Sequence, residues 1–193
     1  MEPLKPGFYY HIYNHANGSE NLFPNDEKYN FFLKKYTSYI KPVADTFAYC
    51  LMPNHIHFLV RIKEINEKTS EVFKSSDVSN AFKNLFISYT KAFNKVNHRM
   101  GSLFCPKFRR KIVTTEKYLK QAINYIHQNP VYHEFVDFPQ RWRYSSYQAF
   151  FSSKPTLLNK YEVLDLFEDL DNFKAYHKMK SVEFYASKQD LDY

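Results

Sequence analysis

Two short β-like runs, residues 46–52 and 55–62, are separated only by Pro53-Asn54. A link that short leaves room for a hairpin or a tight bend, and little else. The rest of the chain must be arranged around that unit. Upstream, residues 8–14 alternate aromatic, β-branched and polar side chains and predict a strand, broken by Asn17-Gly18-Ser19. Asp26 is placed to cap a helix running to Ile40, with Tyr29, Phe32, Leu33 and Tyr36 on one stripe and Lys41-Pro42 ending it. Downstream, polar residues 63–78 predict a loop. Phe82, Leu85, Phe86, Tyr89, Phe93 and Val96 then recur at helical spacing and predict a helix over 78–97.

A basic, β-leaning segment follows within residues 101–114. A second long helix is expected from Thr115 to Asn129, stopped by Pro130. Residues 140–151 predict a short helix after a loop, and the closing acidic stretch carries a weak helical pattern through Val163, Leu164, Phe167 and Leu170. The order is strand, helix, two strands, helix, strand, helix. That defines an α+β chain, a small antiparallel sheet covered by helices, on the βαββαβ plan of ferredoxin-like folds.

At 193 residues the chain suits one domain with an appended tail. The formal charge of +7 is unevenly spread. Residues 81–120 hold ten cations against Glu116 alone, while residues 156–193 hold five Lys against eight Asp and Glu. A basic centre suggests a polyanionic partner, although charge runs also occur as plain solvated faces. No apolar run reaches the ~18–20 residues of a membrane span. The start of the chain has no apolar signal core, and Cys50 and Cys105 have neither metal nor redox spacing. The expectation is a reduced, cytoplasmic protein without membrane contact. Three glycines argue against a phosphate-binding Gly-rich loop. The 17 Tyr and 19 Phe suit either base stacking or an aromatic core.

Two clusters carry chemistry. On a strand, residues two apart share a face, so His55 and His57 project together with Ile56 behind them. Such a pair either chelates one divalent ion or is two unrelated histidines on a polar face; the strand setting, the apolar residue between them and the preceding turn favour the metal. On the helix before Pro130, Leu119, Ala122, Ile123 and Ile126 form the buried stripe. Tyr125 falls on its flank, with Asn129 one turn later on the same flank. A tyrosine there is either a half-buried packing residue or an accessible nucleophile, and Tyr118 lies on nearly the same flank.

The full ordered series resembles the single-tyrosine HUH endonucleases, in particular the IS200/IS605-like transposases and their REP-associated tyrosine transposase group. The residues concerned are Tyr9-Tyr10-His11-Ile12-Tyr13-Asn14, residues 49–60 with Pro53-Asn54-His55-Ile56-His57, Gly101-Ser102-Leu103-Phe104 and Phe108-Arg109-Arg110-Lys111. The series continues through Tyr125-Ile126-His127-Gln128-Asn129-Pro130-Val131 and Trp142-Arg143-Tyr144-Ser145-Ser146-Tyr147. The resemblance implies a transposase domain over 1–150, with 151–193 as an acidic, helical C-terminal extension. It implies a ferredoxin-like sheet whose central strand carries the histidine pair. It further implies that Tyr125 cleaves and rejoins single-stranded or hairpin DNA through a 5′-phosphotyrosine link. His55, His57 and Asn129 would then hold Mg²⁺ or Mn²⁺, the imidazoles favouring Mn²⁺ or heavier ions.

Where the family often carries Arg after the Tyr-x-x-Asn of the first strand, this sequence has His15. His127 is expected to be structural or DNA-facing. Lys107, Arg109, Arg110 and Lys111, with Phe104 and Phe108, are expected either to grip DNA through phosphates and stacking or to form a guarded edge strand. The alternative function is a non-catalytic DNA or RNA hairpin-binding protein on the same scaffold. Monomer and homodimer both fit.

Overall fold

The Pro53-Asn54 link does form a two-residue turn, closed by the Met52 N–H donating to the His55 carbonyl at 2.8 Å. It joins β2 (Ala44–Leu51) and β3 (His55–Ile62) as antiparallel neighbours, with Leu51 opposite Ile56. The computed structural model describes residues 3–65 and 72–187. Within it, β1 (Tyr9–His15) pairs antiparallel with both β3 and β4 (Arg109–Val113), giving the sheet order β2-β3-β1-β4. The histidine pair therefore lies on a central strand, as the sequence led us to expect.

Alternation along β1 and β3 splits their side chains between two layers. Tyr10, Ile12, Ile56, Phe58 and Val60 face α1 (Asp26–Ile40) and α2 (Ser75–Val96), packing on Phe32, Tyr36, Phe82 and Tyr89. Leu59 and Val113 face α3 (Glu116–Tyr132), with Leu119, Ile123 and Ile126. Val163 of α4 (Lys160–Leu166) and Phe173 of α5 (Leu170–Ser187) join that second core.

Local chemistry moved several boundaries. The cap of α1 is Asn25, whose Oδ1 accepts from the Lys28 N–H at 3.1 Å. Asp26 instead opens the helix and pairs with Arg143. Part of the polar stretch 63–78, residues 66–71, lies outside the described residues, and α2 starts at Ser75, inside the predicted loop. Residues 140–151 form two 3₁₀ turns, Pro139–Arg141 and Tyr147–Phe151, in place of a short helix. Pro130 does not stop α3 but sits inside it. Proline removes one donor yet keeps a helical φ, so a further turn can follow it. The His133 N–H returns to the Asn129 carbonyl at 3.1 Å, and the Pro130 carbonyl accepts from Phe135 at 2.9 Å.

A buried histidine pair ties α5 to α3. His177 Nδ1 donates to the Phe173 carbonyl at 2.8 Å, leaving its Nε2 to accept from His127 Nδ1 at 2.9 Å. His127 Nε2 then accepts from the Ser146 hydroxyl at 2.8 Å. His127 is structural, both ring nitrogens engaged within the core. Burial holds the His177 pKa down at about 4, against ~6.5 unfolded. A depressed histidine contributes stability that is complete above the unfolded value and is lost as pH falls from there towards 4. Melting temperature should therefore drop between pH 7 and 4.5. His177→Gln, which cannot titrate, should show a shallower drop; an unchanged slope would count against this link.

Candidate functional site

The cleft between the sheet and α3 collects five of the eight histidines. β1 supplies His11, Tyr13 and His15 by alternation. β3 supplies His55 and His57, in a register that sets His15 opposite His55 and Tyr13 opposite His57. α3 crosses above them, positioned by its buried stripe and started by Thr115, whose hydroxyl accepts from the Tyr118 N–H. Between sheet and helix lies a cleft of about 450 Å³, bordered by Lys111, Tyr118, Tyr125 and His133. Tyr125 is 42 % exposed there.

His55 and His57 are almost fully buried. The His55 Nε2 lies 2.7 Å from the Asn129 Oδ1, and its Nδ1 lies 2.7 Å from the Asn54 Oδ1. His57 Nδ1 meets His11 Nε2 at 2.9 Å. The Tyr125 ring stands edge-on to His57 and His11, at centroid separations of 5.7 and 5.9 Å. Burial lowers the pKa of His55 to about 4, outweighing its bond to Asn129. Burial also takes His11 to about 4, helped by the Lys111 charge. His57 is pushed well below the usual range by burial and then by His11 and His55. All three imidazoles are neutral at pH 7 and keep a ring lone pair.

One contact stands out for its chemistry. Neutral His55 has one ring N–H but meets two amide oxygens, Asn54 Oδ1 and Asn129 Oδ1, so one of its ring nitrogens faces an oxygen lone pair to lone pair. Beside them the Asn129 Nδ2 is buried without a hydrogen-bond partner. Two electron-pair donors converging in a buried place can serve one cation as neighbouring ligands. No group of three or more His, Cys, Asp or Glu arranged to hold a metal occurs among the described residues. The donor set available is thus imidazole and amide oxygen.

The sequence-predicted residues are brought together in part. His55, His57, Asn129 and Tyr125 converge. The basic quartet does not: Arg109 and Lys111 lie on the histidine face beside Tyr13 and His11, whereas Arg110 turns to the other side and bonds Ser79. Phe104 and Phe108 are buried in the α1–α2 core, packed against Phe86 and Phe82, so their ring faces are closed to stacking and only ring edges reach the surface. Of the rival tyrosines, Tyr144 is stacked on Tyr29 with ring centroids 3.6 Å apart, and Tyr147 is buried against His127. Tyr118 shares the cleft, with the Lys111 ammonium 5.2 Å from its ring. His11, Tyr13 and His133 had not been singled out as site residues. The His-x-Tyr-x-His alternation of β1 was the available signal for the first two.

A ferredoxin-like sheet with a histidine pair on its central strand, faced by a helix with tyrosine and asparagine one turn apart, has the architecture implied by the single-tyrosine HUH resemblance. Within that class the likeness is to the REP-associated tyrosine transposases. A Haemophilus influenzae protein named "Putative REP-associated tyrosine transposase" is 27 % identical over 105 residues, covering 53 % of this chain and 58 % of that protein. This chain thus matches little more than half the length of that relative. In fold it is similar to a solved REP-associated tyrosine transposase bound to a REP hairpin, with a TM-score of 0.61 and 16 % identity. That likeness covers 80 % of this chain and 86 % of the other. No protein-family model matches the chain. No helix among the described residues is long and apolar enough to cross a membrane.

Proposed function

We propose that the chain cleaves and rejoins single-stranded DNA at a folded hairpin, with Tyr125 as the nucleophile. The observation that carries this reading is the convergence of Tyr125 with His57 on one side of α3, while Asn129, one turn on, meets His55. The phenol oxygen of Tyr125 attacks the phosphorus and loses its proton. The bond from phosphorus to the 3′-oxygen breaks, and that oxygen leaves as a 3′-hydroxyl after taking up a proton. The product is a 5′-phosphotyrosyl link that conserves the phosphodiester energy, so reversal with a second 3′-hydroxyl rejoins the strand without a nucleotide cofactor.

A phenol of pKa ~10 is a weak nucleophile, so the site must lower the cost of charge at phosphorus. Asn129 Oδ1 and the imidazoles of His55 and His57 would hold the divalent ion, Mg²⁺ or Mn²⁺. When bound, such an ion neutralises a non-bridging phosphate oxygen and orients the phosphorus for in-line attack. Lys111 and Arg109 sit on the same face and hold the flanking phosphates. His11 orients His57 through its ring nitrogen. His15 stacks on His55 with centroids 5.0 Å apart and is kept largely neutral by burial, then by Arg109 and His133, so it serves by packing. Residues 151–193 form an extension to a catalytic domain of residues 1–150, with Val163, Phe167 and Phe173 packed in the core beneath α3.

The test is incubation with a library of single-stranded hairpins and Mn²⁺. A covalent protein–DNA adduct that survives denaturation is expected. No adduct with any hairpin, under conditions where hairpins bind, would point to the non-catalytic hairpin-binding reading instead.

A further inference from the structure

Arg110, which turns away from the histidine face, leads to a second feature. Between α2 and residues 101–108, on the α1–α2 side of the sheet, runs a groove of about 920 Å³. α2 presents Lys83, Ile87 and Lys91 to it at successive four-residue steps, all exposed. Lys107 and Arg110 form the facing wall, and the edges of Phe86 and Phe108 form an apolar floor. Among the described residues no Asp or Glu lines it. Arg110 lies over the Phe108 ring at 4.8 Å and donates to Ser79 at 3.0 Å, but its Nε is buried without a hydrogen-bond partner. No carboxylate among the described residues of the groove neutralises Arg110, so its guanidinium charge is left for an anion lying in the groove.

We infer that this groove binds single-stranded DNA, phosphates lying on Lys83, Lys91, Lys107 and Arg110 and unpaired bases over the apolar floor. The inference rests on the reading of the chain as a DNA-handling enzyme. Two observations select the occupant. The first is the combination of cations with an apolar floor: a duplex hides its base faces and would leave Ile87 and the phenylalanine edges uncovered, whereas an unpaired strand covers both. The second is continuity. β4 is the sheet edge, and its alternation sends Arg109 and Lys111 to the histidine cleft and Arg110 to the groove. A strand leaving the cleft over that edge stays against cations along its way.

The test uses the full chain without added metal, with 5′-fluorescein dT20 followed by anisotropy. Lys83→Gln/Lys91→Gln alters two exposed positions and should keep the fold, checked by circular dichroism. Affinity should fall at least tenfold, and the log–log salt slope should flatten by about 1.4, as for two lost phosphate contacts on a single strand. Arg110→Gln should weaken binding independently. Photocrosslinking with 5-iodouracil in the same oligonucleotide should label peptides within 79–94 and 101–110. Affinity unchanged within twofold, labelling confined to residues 118–133, equal competition by polyglutamate, or tighter binding of rU20 would each overturn the assignment. If dT20 labels the groove but no hairpin yields an adduct, the nuclease reading fails and the groove stands. If adducts form at Tyr125 while the groove variants bind dT20 as before, only the groove fails.

Discussion

Tyr125→Phe is expected to give a protein that folds and binds hairpin DNA normally but forms no covalent adduct. The change deletes one oxygen from a side chain 42 % exposed at the mouth of the histidine cleft. Its cost to stability should stay within about 0.5 kcal/mol. Its effect on cleavage should be a loss of at least ~10³-fold, because no other atom of the side chain can form the bond. Melting temperature, anisotropy with a fluorescent hairpin and denaturing gels measure the three properties separately. Loss of binding along with cleavage would mean that Tyr125 recognises DNA and is not the attacking group.

The second large effect is expected from His55→Ala. His55 is 3 % exposed, held at 2.7 Å by Asn54 on one ring nitrogen and set against Asn129 on the other. Removing it deletes one of the two donors that converge beside Asn129 and leaves polar groups of Asn54 and Asn129 in want of partners. Metal-dependent cleavage should fall by about 10²–10³-fold, the range seen when one preorganised electrostatic group is lost. Stability should fall by about 1–3 kcal/mol from the unpaired buried groups. Hairpin affinity should hold within a few-fold, since phosphate contacts supply most of it. Mn²⁺ should raise the melting temperature of the native chain and not that of the variant, because an ion that binds only the folded site stabilises it. Undiminished cleavage, or equal stabilisation by Mn²⁺, would remove His55 from the metal site.

Where the chain could be read without its structure follows from which patterns are local. The hairpin, α1, α2 and α3 each announce themselves through period-two or period-3.6 patterning, so the βαββαβ order was legible even where the boundaries were not. His55 and His57 share a face by backbone geometry alone, and Tyr125 and Asn129 share a helix flank. Those four positions needed no tertiary information. The partners of His55 and His57 did need it. His11 reaches His57 only because β1 and β3 pair in one particular register, and His133 meets the site only because α3 runs past Pro130. The splitting of the basic quartet depends on where β4 begins, since a one-residue shift would exchange Arg109 for Arg110. Phe104 and Phe108 look the same in sequence whether they face DNA or a core, and only the neighbouring Phe82 and Phe86 decide it.

Three tyrosines border the histidine cleft: Tyr13, Tyr118 and Tyr125. Tyr13 stacks on His57 with centroids 5.9 Å apart, nearly as close as Tyr125. Only Tyr125 shares a helix turn with the buried Asn129 beside His55, so only it couples the attacking oxygen to that donor set through one rigid element. From Tyr118 the same amide is about three turns away, or ~16 Å along the axis. Proteolysis of a trapped protein–DNA adduct, followed by mass spectrometry of the nucleotide-bearing peptide, therefore tests the central claim directly. The account predicts a nucleotide on Tyr125. A nucleotide on Tyr13 or Tyr118 would contradict it.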